Sequence, residues 1–495
     1  VDGLIVAKHH IIAAVGVDAQ GNKHVLGLAP GSSENAKVVK DLLSDLACRG
    51  VDLNISRLWV IDGSKALRSG IEQLCGKDAK VQRCRIHKIR NVSERLPKDR
   101  AEQVRWLMKQ AFKLDAVAGK LRLKVYQHEG VLALSDAVPA LENFGFRVLE
   151  EVPTALGGVD LHGGDLGTIH DFTLALQGGG EAEALLDRAT QIEEAIVAVL
   201  NGQAENDPFN RLVSGTGLSA READLLRAFY RYLRQAGMGF TIYTVVDALE
   251  RAPQVTMPLV ALFAARHDPA FKGDRAAEAA RHDEAIKRGL GQVAAINDDR
   301  LLRLYRAVID AVLRTNAFAP AAAEALAFKI ESQLVPGLPK PVPWREIFVY
   351  SRRVEGIHLR AGAVARGGLR WSDRRDDFRT EILGLMKAQR VKNAVIVPTG
   401  AKGGFYPKQL PSPALDREGW AAEGRASYEI FIRTLLSVTD NIVEGKVVHP
   451  ADVVIHDGED PYFVVAADKG TATFSDTANA IALERGFWLG DAFAS

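Results

Sequence analysis

The amino-acid sequence predicts a multidomain α/β protein, and three observations lead to this fold class. The chain has 495 residues, enough for roughly three domains of ordinary size. Apolar strand-like runs alternate with amphipathic helical segments near both ends, as in sheets that are covered by helices. Long amphipathic helices, such as "NDDRLLRLYRAVIDAVLRTNAF", dominate a predicted helical region over residues 181–335.

The composition limits the class of protein further. Apolar residues make up 47% of the chain and charged residues 25%, and the net charge of +1 indicates no general affinity for nucleic acid or acidic surfaces. Cys48, Cys75 and Cys84 are too few for a disulfide framework in so long a chain, so we expect a reducing compartment, the cytoplasm. No segment approaches the ~18 consecutive apolar residues of a membrane span. The chain begins at Val1 inside an apolar segment, which favours a fragment over a secreted precursor.

The first predicted unit covers residues 1–117. Residues 1–17 and 23–28 are predicted as strands around the turn "DAQGN". A helix follows in "NAKVVKDLLSDLACRG", whose apolar residues share one face. "ISRLWVIDG" is predicted as a buried strand that ends at Asp62, and Ser64 as the N-cap of a second helix.

Three stretches of this unit match a known family: "HHIIAAVGVDAQGNKHVLGL", "WVIDGSKALRSGI" and "VQRCRIHKIRNV". Together they resemble the mutator-type family of bacterial transposases. The resemblance implies a ribonuclease-H-like fold in which acids at strand ends hold two metal ions, with Asp2 and Asp62 matching the first two acids and Mg²⁺ bound only if the enzyme is intact. It ends near "KQAFKLDA", before a third acid, so we expect vestigial acids and no transposition. Basic residues over 80–100 are consistent with a weak DNA contact, although a solvated basic face explains them equally well.

Residues 118–180 are predicted as a small α+β domain of strand, helix and strand. Leu121 to Tyr126 alternate as a strand, and a helix begins at Ser135 or Asp136. The strands "FRVLEE" and "TIHDFTLAL" follow. Further on, "VPGLPKPVPW" has four prolines in ten residues and is predicted as a linker into the final unit.

The final unit, residues 336–495, carries the candidate site. "EIFVYS" and "VEGIHLRAG" are predicted as strands, "ARGGLRWSD" as a glycine turn and "DDFRTEILGLMKAQRVK" as a helix. The apolar strand "NAVIVP" leads into a glycine loop that contains Lys402, and "PYFVVAAD" ends at Asp468. Ligands of open α/β sheets bind beyond the carboxyl ends of strands, so we expect Lys402 and Asp468 to face one crevice. In a P-loop, Ser or Thr directly follows the lysine, but here Gly403 follows Lys402. A small carboxylate or carbonyl substrate therefore suits this loop better than a nucleotide phosphate.

Long stretches of the chain resemble a second family. They are "EIFVYSRRVEGIHLR", "ARGGLRWSDRRDDFRTEILGLMKAQRVKNAVIVPTGAKGGF" and "DPYFVVAADKGTATFSDTANAIALERGFWLGDAFAS". These stretches resemble the large NAD-dependent glutamate dehydrogenases of bacteria, and the similarity reaches back to about Leu121. The resemblance implies an oxidoreductase that deaminates glutamate to 2-oxoglutarate and ammonia, and a homo-oligomer.

The resemblance also implies substrate-binding residues. Arg366, with Gly367 and Gly368, would hold the side-chain carboxylate of glutamate, and Lys392 would hold the α-carboxylate by charge-assisted hydrogen bonds. Arginine stands at position 366 where the smaller enzymes of this kind have lysine, and a bidentate fork makes a different contact from a point charge.

Two residues would carry the chemistry. The resemblance implies that Lys402 polarises the carbonyl and activates water, and that Asp468 shuttles the amine proton. The alternative is that the cations only pair with surface acids such as Asp373 and Asp376.

The cofactor is the difficulty for this function. The chain stops at "GDAFAS", where the family continues into its dinucleotide-binding domain, and no G-x-G-x-x-G lies between a strand and a helix. The resemblance implies NAD, yet we expect its binding domain to be absent and this truncated fusion to be inactive. Two other functions stay open: a transposase or DNA-binding remnant of a mobile element, and a non-enzymatic module that keeps affinity for glutamate.

Overall fold

A computed structural model describes the chain in segments. The described residues are 2–6, 9–17, 23–31, 36–53, 55, 58–61, 64–76, 79–83, 120–128, 130–155, 167–178, 185–392, 399–468 and 470–489. The chain divides into two compact units. One comprises Val1–Val131 and Glu151–Thr173, and the other comprises Leu132–Glu150 and Leu174–Ser495.

The first unit begins with a three-stranded antiparallel sheet. Its strands are β1 (Asp2–Val6), β2 (His9–Val17) and β3 (Lys23–Gly31), in that order. The sequence predicted one strand over residues 1–17, but the chain reverses within this range, and β1 pairs antiparallel with β2. The pattern of apolar residues could not show this reversal, because apolar residues continue from β1 into β2.

Two helices and a parallel strand pair follow in the first unit. Helix α1 (Ala36–Cys48) buries the apolar stripe that its spacing predicted, which consists of Val39, Leu42, Leu43 and Leu46. Strand β4 (Leu58–Ile61) pairs in parallel with β5 (Lys80–Arg83). Between them lies helix α2 (Lys65–Cys75), where the Ser64 side chain accepts a hydrogen bond from the Leu67 amide at 3.4 Å, as the predicted N-cap requires.

A second three-stranded sheet follows. It has the order β6, β8, β7, with β6 (Lys120–Gln127), β7 (Phe146–Ala155) and β8 (Thr168–Leu176). Helix α3 (Leu134–Asn143) begins before the predicted start at Ser135 or Asp136, and its N-cap residue Ala133 makes no side-chain cap. Asp136 instead lies in the first turn, where a negative charge is favourable.

Helices follow one another over residues 189–311, within the region predicted as helical over residues 181–335, and two strands lie in the rest of that region. Its helices are α4 (Ala189–Leu200), α5 (Arg211–Gly215), α6 (Ala220–Gln235), α7 (Ile242–Arg251), α8 (Pro253–His267), α9 (Arg275–Leu290) and α10 (Ile296–Ala311). The predicted helix "NDDRLLRLYRAVIDAVLRTNAF" ends earlier than expected, at Ala311, and residues Val312–Thr315 form a buried strand instead.

A seven-stranded sheet organises the second unit. Its strands are β9 (Val312–Thr315), β10 (Leu326–Ile330), β11 (Arg345–Tyr350), β12 (Val354–Arg360), β13 (Gly368–Trp371), β14 (Ala401–Pro407) and β17 (Ala466–Ala467). Their order is β17, β13, β14, β12, β11, β10, β9. Strand β13 is parallel to both of its neighbours, and the other pairs in the sheet are antiparallel. The sheet therefore includes two strands that precede the predicted domain boundary at residue 336. A short hairpin of β15 (Asn441–Val443) and β16 (Lys446–Val448) lies outside this sheet.

Helices cover both faces of the sheet. Helix α11 (Phe378–Lys392) packs against one face, where a Cβ at Gly404 would lie 2.3 Å from Ile382 Cδ1. Helix α12 (Arg417–Leu436) packs against the other, where a Cβ at Gly356 would lie 2.3 Å from Phe431 Cε2. Helix α13 (Ser475–Glu484) adds Ala478, Ile481 and Ala482 to the same buried cluster as α12. The predicted α/β class is confirmed. None of the helices in the described ranges has the length and apolarity that a bilayer crossing requires.

Candidate active site

Lys402 lies on a strand and not in the glycine loop that the sequence predicted. It is the second residue of β14 and pairs with Leu359 of β12. The adjacent glycines are required by close packing. A Cβ at Gly403 would lie 2.2 Å from Leu369 Cδ2, and one at Gly404 would meet the side chain of Ile382. Glycine is depleted in strands in general, so this strand could not be recognised before its neighbours were known.

The structure brings Lys402 and Asp468 together. The Lys402 side chain is almost fully buried and its Nζ forms an ion pair with Oδ2 of Asp468, whose side chain is 30% exposed. A buried ammonium is unfavourable unless it is paired, so the Asp468 carboxylate offsets part of the cost of burying the Lys402 side chain. The partly exposed carboxylate gives the pair an opening to solvent. This is the juxtaposition on which the predicted site depends.

A glycine on the strand between Lys402 and Asp468 allows the two side chains to meet. Strand β13 separates β14 from β17, and Gly368 pairs with Ala466 on one side. On the other side Leu369 pairs with Gly403, which makes Gly368 level with Lys402. Residues that are level on parallel strands point to the same face. The lysine side chain therefore crosses β13 at a position that has no side chain and reaches Asp468 beyond it.

Arg366 and Gly367 lie at the start of the same strand pair. Arg366 bridges to Gly400, donates its amide to the Thr399 carbonyl at 3.2 Å and accepts from the Ala401 amide at 2.8 Å. A Cβ at Gly367 would lie 1.6 Å from the Ala401 oxygen, so this position admits only glycine. The Arg366 side chain is half-buried. The backbone of this predicted substrate-binding segment is thus fixed against the strand that carries Lys402.

Other predicted residues lie outside what the structure describes. Lys392 is the last residue of α11, but its side chain is not described, and the predicted strand over 393–398 lies outside the described residues. Asp2 is the first residue of β1 with an undescribed side chain, and Asp62 lies outside the described ranges, as does most of the basic stretch 80–100. Within the described part of the chain, no three His, Cys, Asp or Glu residues are grouped as metal ligands.

The segment that carries Asp468 is held by residues that the sequence did not single out. The Asp468 amide donates to Thr471 Oγ1 at 3.0 Å, and this hydroxyl donates to the Leu369 carbonyl at 2.9 Å. Upstream, His358 Nε2 donates to the Val464 carbonyl at 2.8 Å. Only Ala466–Ala467 of the predicted strand "PYFVVAAD" is therefore a strand, because side chains satisfy much of the backbone.

His358 is fully buried on β12. Burial lowers its pKa to about 3, and the positive charges of Arg360 and Lys402 act in the same direction. Its ring lies 4.7 Å from the ring of Phe463, centroid to centroid. Every residue of β12 is buried, so no alternation along the strand marked His358 as a functional position.

A buried ionic network occupies the opposite face of the sheet. Arg360 pairs in register with Ala401, the neighbour of Lys402 on β14, and so points away from Lys402. The ionic network consists of Arg314, Lys329, Arg360, Asp440, Asp457 and Asp460. Burial by itself would raise the pKa of Asp460, but Arg360 and Lys329 lower it below its ordinary value. Three cations face three carboxylates, so this network is neutral and already paired.

The comparisons with known proteins agree with both predicted resemblances. Residues 285–495 match the family model "Bacterial NAD-glutamate dehydrogenase, catalytic domain", and residues 204–269 match "Glutamate dehydrogenase, helical motif 3". Residues 108–188 match "Glutamate dehydrogenase, ACT3 domain". Residues 2–144 match "Transposase, Mutator family". The last two matches overlap, and the predicted junction near residue 117 falls inside the overlap.

Individual relatives show the same division. The chain is 50% identical over 384 residues to an NAD-specific glutamate dehydrogenase of Pseudomonas aeruginosa, which covers 76% of the chain and 23% of that protein. It is 50% identical over 379 residues to the protein of the same name from Halomonas elongata, with the same two coverages. A transposase for insertion sequence element ISRM5 from Rhizobium meliloti is 31% identical over 107 residues, 21% of the chain and 26% of the relative.

Both predicted resemblances are thereby confirmed. The chain combines a segment similar to the bacterial NAD-glutamate dehydrogenases with an amino-terminal segment similar to the mutator transposases. It spans about a quarter of the length of the curated relatives that it matches.

One described turn has the glycine spacing of a dinucleotide-binding turn but not its surroundings. Residues 215–220, "GTGLSA", have dinucleotide-like G-x-G-x-x-A spacing before α6, but they follow helix α5 rather than a strand. The Arg188 guanidinium donates to the carbonyls of Val213 and Ser214 beside this turn, at 2.9 and 3.0 Å. The Glu222 carboxylate occupies the helix N-terminus through a capping box, where a pyrophosphate would have to bind. This turn is therefore a helix connection.

Proposed function

We propose that residues 285–489 form the glutamate-binding part of an NAD-dependent glutamate dehydrogenase, which converts glutamate to 2-oxoglutarate and ammonia. The observation that carries the proposal is the ion pair between the buried Lys402 and Asp468, which crosses strand β13 at Gly368. Relatives that are 50% identical over this region bear the name NAD-specific glutamate dehydrogenase, which supports the substrate class.

The proposed roles follow from charge and position. Arg366 and Lys392 bind the two carboxylates of the substrate, and the glycines at 367 and 368 let the substrate approach the backbone closely. The Lys402 ammonium donates a hydrogen bond to the 2-oxo oxygen, and in its amine form Lys402 accepts a proton from the water that attacks the imine. Asp468 is already within contact of Lys402 and carries the proton of the amine.

Ligand-dependent stability tests this function. We expect glutamate and 2-oxoglutarate each to raise the thermal unfolding midpoint of the purified chain, because a ligand that binds only the folded state stabilises it. Lys402→Ala should abolish the shift. Lys446→Ala, a change at an exposed lysine on the β15–β16 hairpin, should leave it intact. The absence of any shift with either ligand at saturating concentration would overturn the proposal.

Turnover is a separate question from binding. We propose that the chain by itself binds glutamate without reducing NAD, because the glycine turn at residues 215–220 lacks the preceding strand and the open helix N-terminus that a dinucleotide needs. Glutamate-dependent appearance of NADH, followed by absorbance, would contradict this part and leave the binding proposal standing. We extend the proposal to a cytoplasmic homo-oligomer, which light scattering on the purified chain would test.

A second function is supported by the match of residues 2–144 to the mutator transposases. Three antiparallel strands followed by a helix and a parallel pair are consistent with a ribonuclease-H-like fold, in which Asp2 and Asp62 would hold Mg²⁺. The basic stretch 80–100 would then contact DNA weakly. Retention on DNA that falls steeply as salt increases would favour this function, since phosphate contacts release counterions.

A further inference from the structure

A cavity of ≈ 690 Å³ opens beyond the carboxyl end of β13, next to the turn that follows Asp468. Its volume lies within the range of small-molecule sites, roughly 300–1,000 Å³. The residues that matter here are three aromatic residues, two arginines and one glycine: Trp371, Trp420, Phe474, Arg370, Arg425 and Gly470. None of them belongs to the proposed glutamate site, which lies at the start of β13.

The aromatic wall of the cavity is a stack of rings, of which an outer face is open to the cavity. The rings of Trp371 and Trp420 are stacked with centroids 4.7 Å apart and planes inclined by 19°, and the Phe474 ring lies 6.3 Å from Trp371 at 23°. A Cβ at Gly424 would lie 2.0 Å from Trp371 Cη2, so glycine on α12 lets the indole lie against the helix. Nearly parallel rings at a cavity wall offer a surface on which another planar ring can stack.

The polar groups of the cavity favour an anion. Arg370 is held by Glu381, with Nε 2.7 Å from Oε1, and Ser372 donates to the other oxygen of that carboxylate. Arg425 lies over the Phe474 ring at 5.9 Å and forms no ion pair with a carboxylate of the described residues. The lining contains both arginines and a single carboxylate, that of Asp373. An available guanidinium beside a stacking surface is the arrangement that binds an aromatic ring with an attached anionic group.

We propose that this cavity binds a planar aromatic anion of nucleoside monophosphate size, with the ring stacked on the Trp371–Trp420 wall and the anionic group on Arg425. The cavity wall is continuous with the turn that carries Asp468. A Cβ at Gly470 would lie 2.9 Å from Trp371 Cβ, and Thr471 Oγ1 donates to Leu369 of β13. A bound ligand therefore lies against the segment that places the Asp468 carboxylate.

Calorimetry on the purified chain tests the proposal with adenosine monophosphate, adenosine and inorganic phosphate as probes. We expect the monophosphate to bind and adenosine to bind about 10-fold more weakly, because adenosine loses a charge-assisted hydrogen bond. Phosphate alone should not bind measurably. Stacking should also quench tryptophan fluorescence with the first two probes and not with phosphate.

Matched variants locate the site. Arg425→Ala should lower the affinity for the monophosphate to that for adenosine, while Arg417→Ala, an exposed arginine on the same helix, should change neither. Ala422→Trp fills the cavity from an exposed position and should abolish binding of both adenosine monophosphate and adenosine. Trp420→Ala should weaken both by about 10-fold, the usual effect of one lost base stack. Circular dichroism confirms that each variant is folded.

Three results would overturn the proposal: no binding of the monophosphate, equal affinities for the monophosphate and adenosine, or binding that survives Ala422→Trp. Lys402→Ala separates this site from the proposed glutamate site. We expect Lys402→Ala to retain nucleotide binding while it loses the response to glutamate. Loss of nucleotide binding in folded Lys402→Ala would place the nucleotide at the glutamate site and refute a separate cavity.

Discussion

Two buried histidines are expected to make the second unit lose stability in mild acid. His358 lies inside the sheet, and burial lowers its pKa to about 3. His267 is fully buried at the end of α8, and its two ring nitrogens have no hydrogen-bond partner among the described residues. Burial, together with the charges of His456, Arg266 and Arg275, holds the pKa of His267 well below its usual value.

The direction of the effect follows from proton uptake. In the unfolded chain each histidine has a pKa of about 6.5 and takes up a proton as the pH falls through that value, whereas the folded chain does not. The stabilising contribution is therefore complete above that pH and is lost progressively below it. Between about pH 7.5 and about pH 5.5 each residue lowers the free energy of unfolding by roughly 1–2 kcal/mol, and the pair by about 3 kcal/mol. A domain of ordinary stability, about 5–15 kcal/mol, loses a large fraction of it.

Urea denaturation at several pH values measures this loss. His358→Gln keeps an amide donor for the Val464 carbonyl and removes the titrating group, and His267→Phe packs against Phe263 without any polar atom. Each variant should remove roughly 1–2 kcal/mol of this pH dependence and the double variant about 3 kcal/mol, while the part due to His456, whose pKa burial also lowers, should remain. His128→Gln, at an exposed position, should behave as the wild type. An unchanged pH dependence in the folded double variant would refute the assignment to these two residues.

Two further predictions concern stability and use the same denaturation assay. Gly367→Ala places a methyl group 1.6 Å from a backbone oxygen and should cost at least about 2 kcal/mol, whereas Gly239→Ala, with open space around it, should cost less than about 1 kcal/mol; equal losses would show that the backbone near residue 367 relaxes. Arg314→Ala removes the buried guanidinium that pairs with both Asp440 and Asp457, while Lys329 still pairs with Asp457, and it should cost about 3–5 kcal/mol. Arg433→Ala removes a partly exposed pair and should cost about 1 kcal/mol or less. A small loss for Arg314→Ala would mean that water replaces the guanidinium.

Local patterns were sufficient for helices α1 and α2. Helix α1 buries the stripe that its spacing predicted, and Ser64 caps α2 as expected. The helix predicted through Val312–Thr315 was wrong because distant residues decide its end. All four residues are buried, and the Arg314 side chain pairs with Asp440 and Asp457, 126 and 143 positions further along the chain. Partners this remote leave no periodic signal near residue 312, so the helical spacing before it was extended too far.

For the Lys402 site, too, local sequence predicts the residues, whereas distant parts of the chain determine their contact. The lysine and the aspartate could be predicted, because each belongs to a stretch with recognisable chemistry. Their contact depends on the strand order β17, β13, β14, which inserts β13 between them, and on glycine at position 368 of that strand. His358 and Thr471 hold the aspartate segment through carbonyls 106 and 102 positions away. A charged pair that must cross a neighbouring strand needs a residue without a side chain in between, so Gly368 of "ARGGLR" serves the geometry of the Lys402–Asp468 pair.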